Sequence, residues 1–180
     1  ILFSENFESG NLNNWTVHPG QDALAISTAQ KHGGSYSAMQ DNSSNKMYRV
    51  IIPDNGGAEM NGHFKMTFWM YDDNATSKRK LADIRGYSGA YNVGLQQLFA
   101  AGMYNSSTLE THVETNWHGR VLPGTSAGFF NLNGNGVNNA ALRRTNGWQK
   151  FEIERLSDGT TVKFYVDGVL GRTITGASNF

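Results

Sequence analysis

The sequence predicts an all-β protein built as an antiparallel two-sheet sandwich. Three observations carry this expectation. Short segments alternate apolar and polar residues with a period of two, the signature of a strand with one face in a core. Between them stand Gly-, Asn- and Asp-centred turn signals, in a chain of 180 residues with 21 glycines and only 3 prolines. Helical spacing recurs only around Leu95, Leu98, Phe99 and Gly102, and there Val93, Leu95, Gln97, Phe99, Ala101 and Met103 also alternate, so strand is preferred.

In chain order, segments near 2–7, 23–27, 36–40 and 47–52 read as strands. The clearest follows: Phe64, Met66, Phe68 and Met70 fall on one face, and Lys65, Thr67, Trp69 and Tyr71 on the other. Segments 79–85, 93–103, 110–117 and 128–132 read as further strands. In Gln149–Arg155, Phe151 and Ile153 face inward while Lys150, Glu152 and Glu154 face out. In Thr161–Asp167, Val162, Phe164 and Val166 oppose Lys163 and Tyr165. Ser157-Asp158-Gly159-Thr160 joins these two as a hairpin, and Asp167-Gly168 opens another tight turn. Trp15 and Trp148 are expected in the core. Residues 173–180 read as a turn with which the chain stops, so a single domain over 1–180 is expected to lack the strand that would close its sheet.

Fifteen basic and fifteen acidic residues cancel, without the basic excess that nucleic-acid binding needs. Lys78-Arg79-Lys80 reads as a solvated turn. With no cysteine, thiol catalysis and Cys-based zinc sites are excluded. No apolar run approaches the roughly 20 residues of a membrane helix. The start at Ile1, without an initiator Met, fits a processed and exported chain.

The opening Phe3-Ser4-Glu5-Asn6-Phe7-Glu8-Ser9-Gly10 with Leu12 and Trp15, followed by His32-Gly33-Gly34-Ser35-Tyr36-Ser37, is similar to the start of bacterial carbohydrate-binding modules and surface jelly rolls. The run Gly147–Ile153 with Val162–Gly168 resembles the terminal hairpin of laminin-G-like, concanavalin-A-like domains. Asp83–Tyr87 through Leu95–Leu98 looks like bacterial envelope proteins. The resemblance implies a secreted or cell-surface sandwich. It also implies a structural calcium ion held in part by Glu8, although the late acidic residue that completes such a site has no match here.

Four constellations could carry chemistry. Glu110, His112 and Glu114 would share one strand face. Two carboxylates suit glycoside hydrolysis, but sandwich glycosidases place an acid where His112 stands; the trio could also hold a metal. Sugars lay their C–H faces on aromatic rings, so Trp69, Tyr71, Tyr87 and Trp117 could form a glycan platform, with Arg85, Gln97 and Arg120 reading hydroxyls; Tyr91, Tyr104 and Tyr165 are further aromatics outside the evident core. Asn14, Asn42, Asn74 and Asn105 head N-glycosylation sequons. Finally, a sheet edge left open at the C-terminus would invite strand addition by a second copy. The first expectation is therefore a non-catalytic module that binds polysaccharide or mediates adhesion. A self-assembling filament or matrix subunit comes second, and a glycosidase using Glu110 and Glu114 third.

Overall fold

The structure, a computed structural model, describes residues 1–60, 62–74, 79–105, 113–123, 128–134 and 138–176. The chain is all-β and antiparallel, and it divides into two compact units, 1–60 and 61–180.

In the first unit the strands are short. β1 (Thr16–Val17) pairs with β4 (Met47–Tyr48), and β2 (Ala25–Ser27) with β3 (Ser37–Met39). No strand forms over 2–7. There the Phe7 amide donates to the Glu5 carboxylate at 2.8 Å and Phe7 takes a left-handed φ of 63°, which bends the chain out of an extended path. The bend presents Phe3 and Phe7 to Trp15, at 5.6 and 6.4 Å between ring centroids. Trp15 is half-buried between them rather than fully enclosed. The strand expected over 47–52 stops at Tyr48, and a 3₁₀ turn at Pro53–Asn55 takes over shortly after. Proline fixes φ at a helical value and lacks the N–H a strand would use.

The second unit is a sandwich of two four-stranded sheets. One runs β12 (Val169–Ile174), β11 (Val162–Val166), β10 (Gly147–Arg155), β5 (Phe64–Asp72); the other runs β6 (Lys80–Tyr87), β7 (Leu95–Met103), β8 (His118–Leu122), β9 (Phe130–Asn131). The first is tied by two local turns. In the hairpin after Arg155, Asp158 accepts the amides of Thr160 and Thr161, each at 2.8 Å. Asp167 and Gly168, both at positive φ, make the two-residue turn that right-twisted strands favour. Residues 173–174 thus end a strand instead of beginning a turn.

The inward alternation predicted from sequence holds. Phe151, Ile153, Val162, Phe164 and Val166 are fully buried, with Phe64, Met66, Phe68 and Met70 packed against them. From the facing sheet come Phe99, Ala101, Met103, Val121 and Phe130. Phe130 meets Phe164 edge-on at 5.4 Å, and Phe68 stacks on Phe151 at 5.0 Å. Deleting one such ring costs about 3–5 kcal/mol, so these contacts dominate the sandwich. The β6–β9 sheet is also covered on its second face, where Leu98, Ala100 and Phe129 are buried beneath Leu81, Tyr104 and Leu122.

Charge is buried in this unit too. Asp72, at the end of β5, is wholly inaccessible. It accepts two hydrogen bonds from Arg144, at 2.7 and 3.0 Å, and one from Lys80 at 2.8 Å. Burial alone would raise its pKa, but these cations hold the carboxyl below its ordinary value. Lys80 is therefore a structural ion-pair partner, and the solvated-turn reading fails for it. Gln149 ties several segments together. Its carbonyl accepts the Trp117 indole N–H at 2.9 Å and the Thr145 amide at 3.2 Å, and its NH₂ donates to Asp167 and to the Ala141 and Arg143 carbonyls.

Candidate functional site

The residues chosen from sequence separate onto opposite faces of the sandwich. Directly paired residues in an antiparallel sheet share a face, so register decides which groups meet. On the outer face of the β5–β10–β11–β12 sheet, Tyr71 stands opposite Trp148, Trp69 opposite Lys150, Thr67 opposite Glu152, and Glu152 opposite Tyr165. Trp148 therefore belongs to this face and is only half-buried, contrary to its expected place in the core. Tyr71 and Trp148 meet edge-to-face at 5.6 Å, and the Tyr71 hydroxyl donates to Asn146 at 3.1 Å. Next to them Trp69 is 43% exposed.

Polar groups frame these rings. Lys150 pairs with Glu152 at 2.8 Å, and His63 meets Glu154 at 3.0 Å. The hydrogen bond from His63, with help from Lys65 and Lys163, holds the Glu154 carboxyl below its ordinary value. Burial, reinforced by the Glu154 and Glu152 carboxylates, raises the Tyr165 phenol, which keeps it a neutral donor at physiological pH. The result is a sheet face with adjacent aromatic rings and hydrogen-bonding groups of both signs.

The remaining predicted ligand residues lie elsewhere. Arg85 and Arg120 occupy the second face of the β6–β9 sheet, opposite Leu98 and Ala100 respectively. Arg85 grips Asp83 through two hydrogen bonds at 3.0 and 2.7 Å. Burial opposes its charge, but Asp83 and Tyr87 more than offset this and raise its pKa. Tyr87 is turned edge-on to Tyr91 at 5.6 Å. Two residues are withdrawn from any platform by burial. Trp117 is fully enclosed in the core, edge-on to Phe151 at 4.8 Å, and Gln97 is buried on the core-facing side opposite Gly86.

Glu110 and His112 lie outside the described residues. Glu114 is exposed and sits in a turn closed by the Asn116 amide on the Val113 carbonyl at 2.9 Å, so the strand expected over 110–117 is absent from 113–117. A cleft of about 220 Å³ lined by Asn74, Glu114, Thr115 and Arg144 adjoins it. That is below the usual range of ligand pockets, about 300–1,000 Å³. Glu8 accepts the Ser35 amide, at 3.0 and 2.9 Å, and the Tyr36 amide, at 3.0 Å; these backbone donors lower its pKa. Among the described residues, no three His, Asp or Glu side chains are grouped to hold a metal ion. The sequon residues Asn14, Asn42, Asn74 and Asn105 are all exposed. Asn14 donates to Glu5 at 2.9 Å, and Asn42 accepts the Ser44 amide at 2.7 Å.

The chain matches no protein-family model, no curated protein and no solved structure. Among the described residues no helix is long and apolar enough to cross a membrane.

Proposed function

We propose that this chain is a non-catalytic module that binds a neutral polysaccharide outside the cell, through the outer face of the β5–β10–β11–β12 sheet. One observation carries the reading: the exposed indole of Trp69 beside the Tyr71–Trp148 pair on one sheet face. A pyranose ring buries its apolar C–H face well on such a surface, while groups such as Lys150, Glu152 and Tyr165 offer partners to its hydroxyls. Charges of both signs on the face suit a neutral chain better than a charged one.

The test is calorimetric titration of neutral oligosaccharides such as cellohexaose, xylohexaose and laminarihexaose. Binding by at least one, weakened about tenfold or more by Trp69→Ala and largely kept by Trp69→Phe, is expected of an aromatic anchor. No binding to any neutral glycan, or binding untouched by Trp69→Ala, would overturn the platform.

A second reading is a self-assembling extracellular subunit. It is favoured by β5, a nine-residue strand that among the described residues pairs only with β10 and so ends its sheet. Light scattering decides it: regular large assemblies support strand addition, and a stable monomer at high concentration rejects it.

A further inference from the structure

Among the described residues, the second face of the β6–β9 sheet carries more positive than negative charge. Register and ring contacts place three arginines on it: Arg79 at the entry to β6, Arg85 on β6 and Arg120 on β8. Asp83 is the one carboxylate among the described residues of this face, and Arg85 engages both its oxygens. Arg79 and Arg120 have no carboxylate partner among the described residues. Each instead lies against an aromatic ring, Arg79 over Tyr104 at 4.4 Å and Arg120 over Phe129 at 5.5 Å. Tyr104 and Phe129 stack on each other at 4.0 Å, nearly parallel, so both guanidiniums lie against one aromatic pair. The Nε of Arg120 is buried and has no hydrogen-bond acceptor within the protein.

Arg79 and Arg120 therefore offer two guanidiniums that carry no carboxylate among the described residues. A guanidinium held against a ring can still offer N–H groups to an oxyanion, which it grips through two hydrogen bonds.

We propose that this face is a second binding site, for an acidic polysaccharide, with Arg79 and Arg120 each receiving an oxyanion substituent of the chain. Two guanidiniums borne on one aromatic pair fit anions repeated along one polymer. Nucleic acid is a poor fit. The chain has no net charge, and the stacked rings are too close to admit a base between them. The site is separate from the Trp69 platform and does not depend on it.

The experiment titrates the whole chain with oligogalacturonate, its methyl ester, and a dextran sulfate oligosaccharide, at low and at physiological salt. Oligogalacturonate binding that is lost on esterification identifies carboxylate as the anion, and binding of the dextran sulfate probe alone identifies sulfate. In either case Arg79→Gln and Arg120→Gln should each weaken binding about tenfold or more, and salt should weaken it further. Trp69→Ala should leave it unchanged, which separates this site from the neutral platform. Arg79 is exposed, so its substitution leaves the fold in place, and thermal melting checks both variants. The proposal is overturned if neither acidic sugar binds the unsubstituted chain, if the ester binds as well as the acid while the sulfated probe does not bind, or if binding survives both substitutions. Tighter binding of polyglutamate than of either sugar would overturn the saccharide assignment in favour of an acidic peptide.

Discussion

Replacing Asp72 with Asn should be among the most damaging changes this chain can suffer without altering side-chain volume. The carboxylate has no exposed surface, and Arg144, which it binds through both oxygens, is 3% exposed. Asn keeps the shape but removes the charge and one acceptor, so the buried guanidinium loses its Asp72 ion pair, with the Lys80 ammonium close by. Breaking one side of a buried ion pair costs about 3–5 kcal/mol. For a chain of this size each kcal/mol moves the melting temperature by about 2–4 °C, so a fall of roughly 6–20 °C is expected. Urea unfolding with a double-mutant cycle over Asp72→Asn and Arg144→Gln should return a coupling above about 1 kcal/mol. The pH dependence follows from the same group. Its pKa is lower folded than unfolded, so its stabilisation is fully present above the unfolded value, about 4, and disappears as pH falls through the folded value. The variant should lack that acid-sensitive part of the stability curve. A loss below about 1 kcal/mol with unchanged acid sensitivity would refute the argument.

Two further substitutions probe the core. Phe164→Asp places an unpaired carboxylate against Phe130 in the centre of the sandwich and should leave no cooperative unfolding transition in circular dichroism; a native-like melt would mean the register of β11 is wrong. Gln149→Glu keeps the shape but replaces the NH₂ donor with an oxygen that faces Asp167 and two carbonyls, so a loss of about 2 kcal/mol or more by urea unfolding is expected at neutral pH, partly recovered on acidification.

The alternating strands were legible because two independent cues agreed there. In 64–71, 149–155 and 161–167 the period-two pattern coincides with turn chemistry at the ends, and the burial follows it residue by residue. The short strands near the N-terminus lacked that agreement, and 2–7 was misread because nothing in its apolar pattern announces the left-handed Phe7. The candidate site was legible only in part. Alternation shows which side of its own strand Trp69 occupies, but not which strands become neighbours. Trp69 and Arg120 therefore looked like one site until the sheet order separated them. Trp117 was mistaken for a surface aromatic because it precedes β8 with no alternation to orient it, and its indole N–H is satisfied by Gln149, distant in sequence. Arg79 was lost in a basic run whose members have different roles: Arg79 stacks on Tyr104, and Lys80 neutralises Asp72.

The four tryptophans also give the chain an optical signature. Trp117 is fully buried in the packed core with its N–H bonded, so it should emit at short wavelength and resist soluble quenchers until the sandwich opens. Trp69, 43% exposed on the face proposed to bind sugar, should be the indole that iodide reaches first. Trp15 belongs to the first unit and Trp148 to the second. Removing them one at a time would resolve the emission of the intact protein into a gauge of core integrity, a gauge of ligand occupancy, and a separate reading from the N-terminal unit, without any added dye.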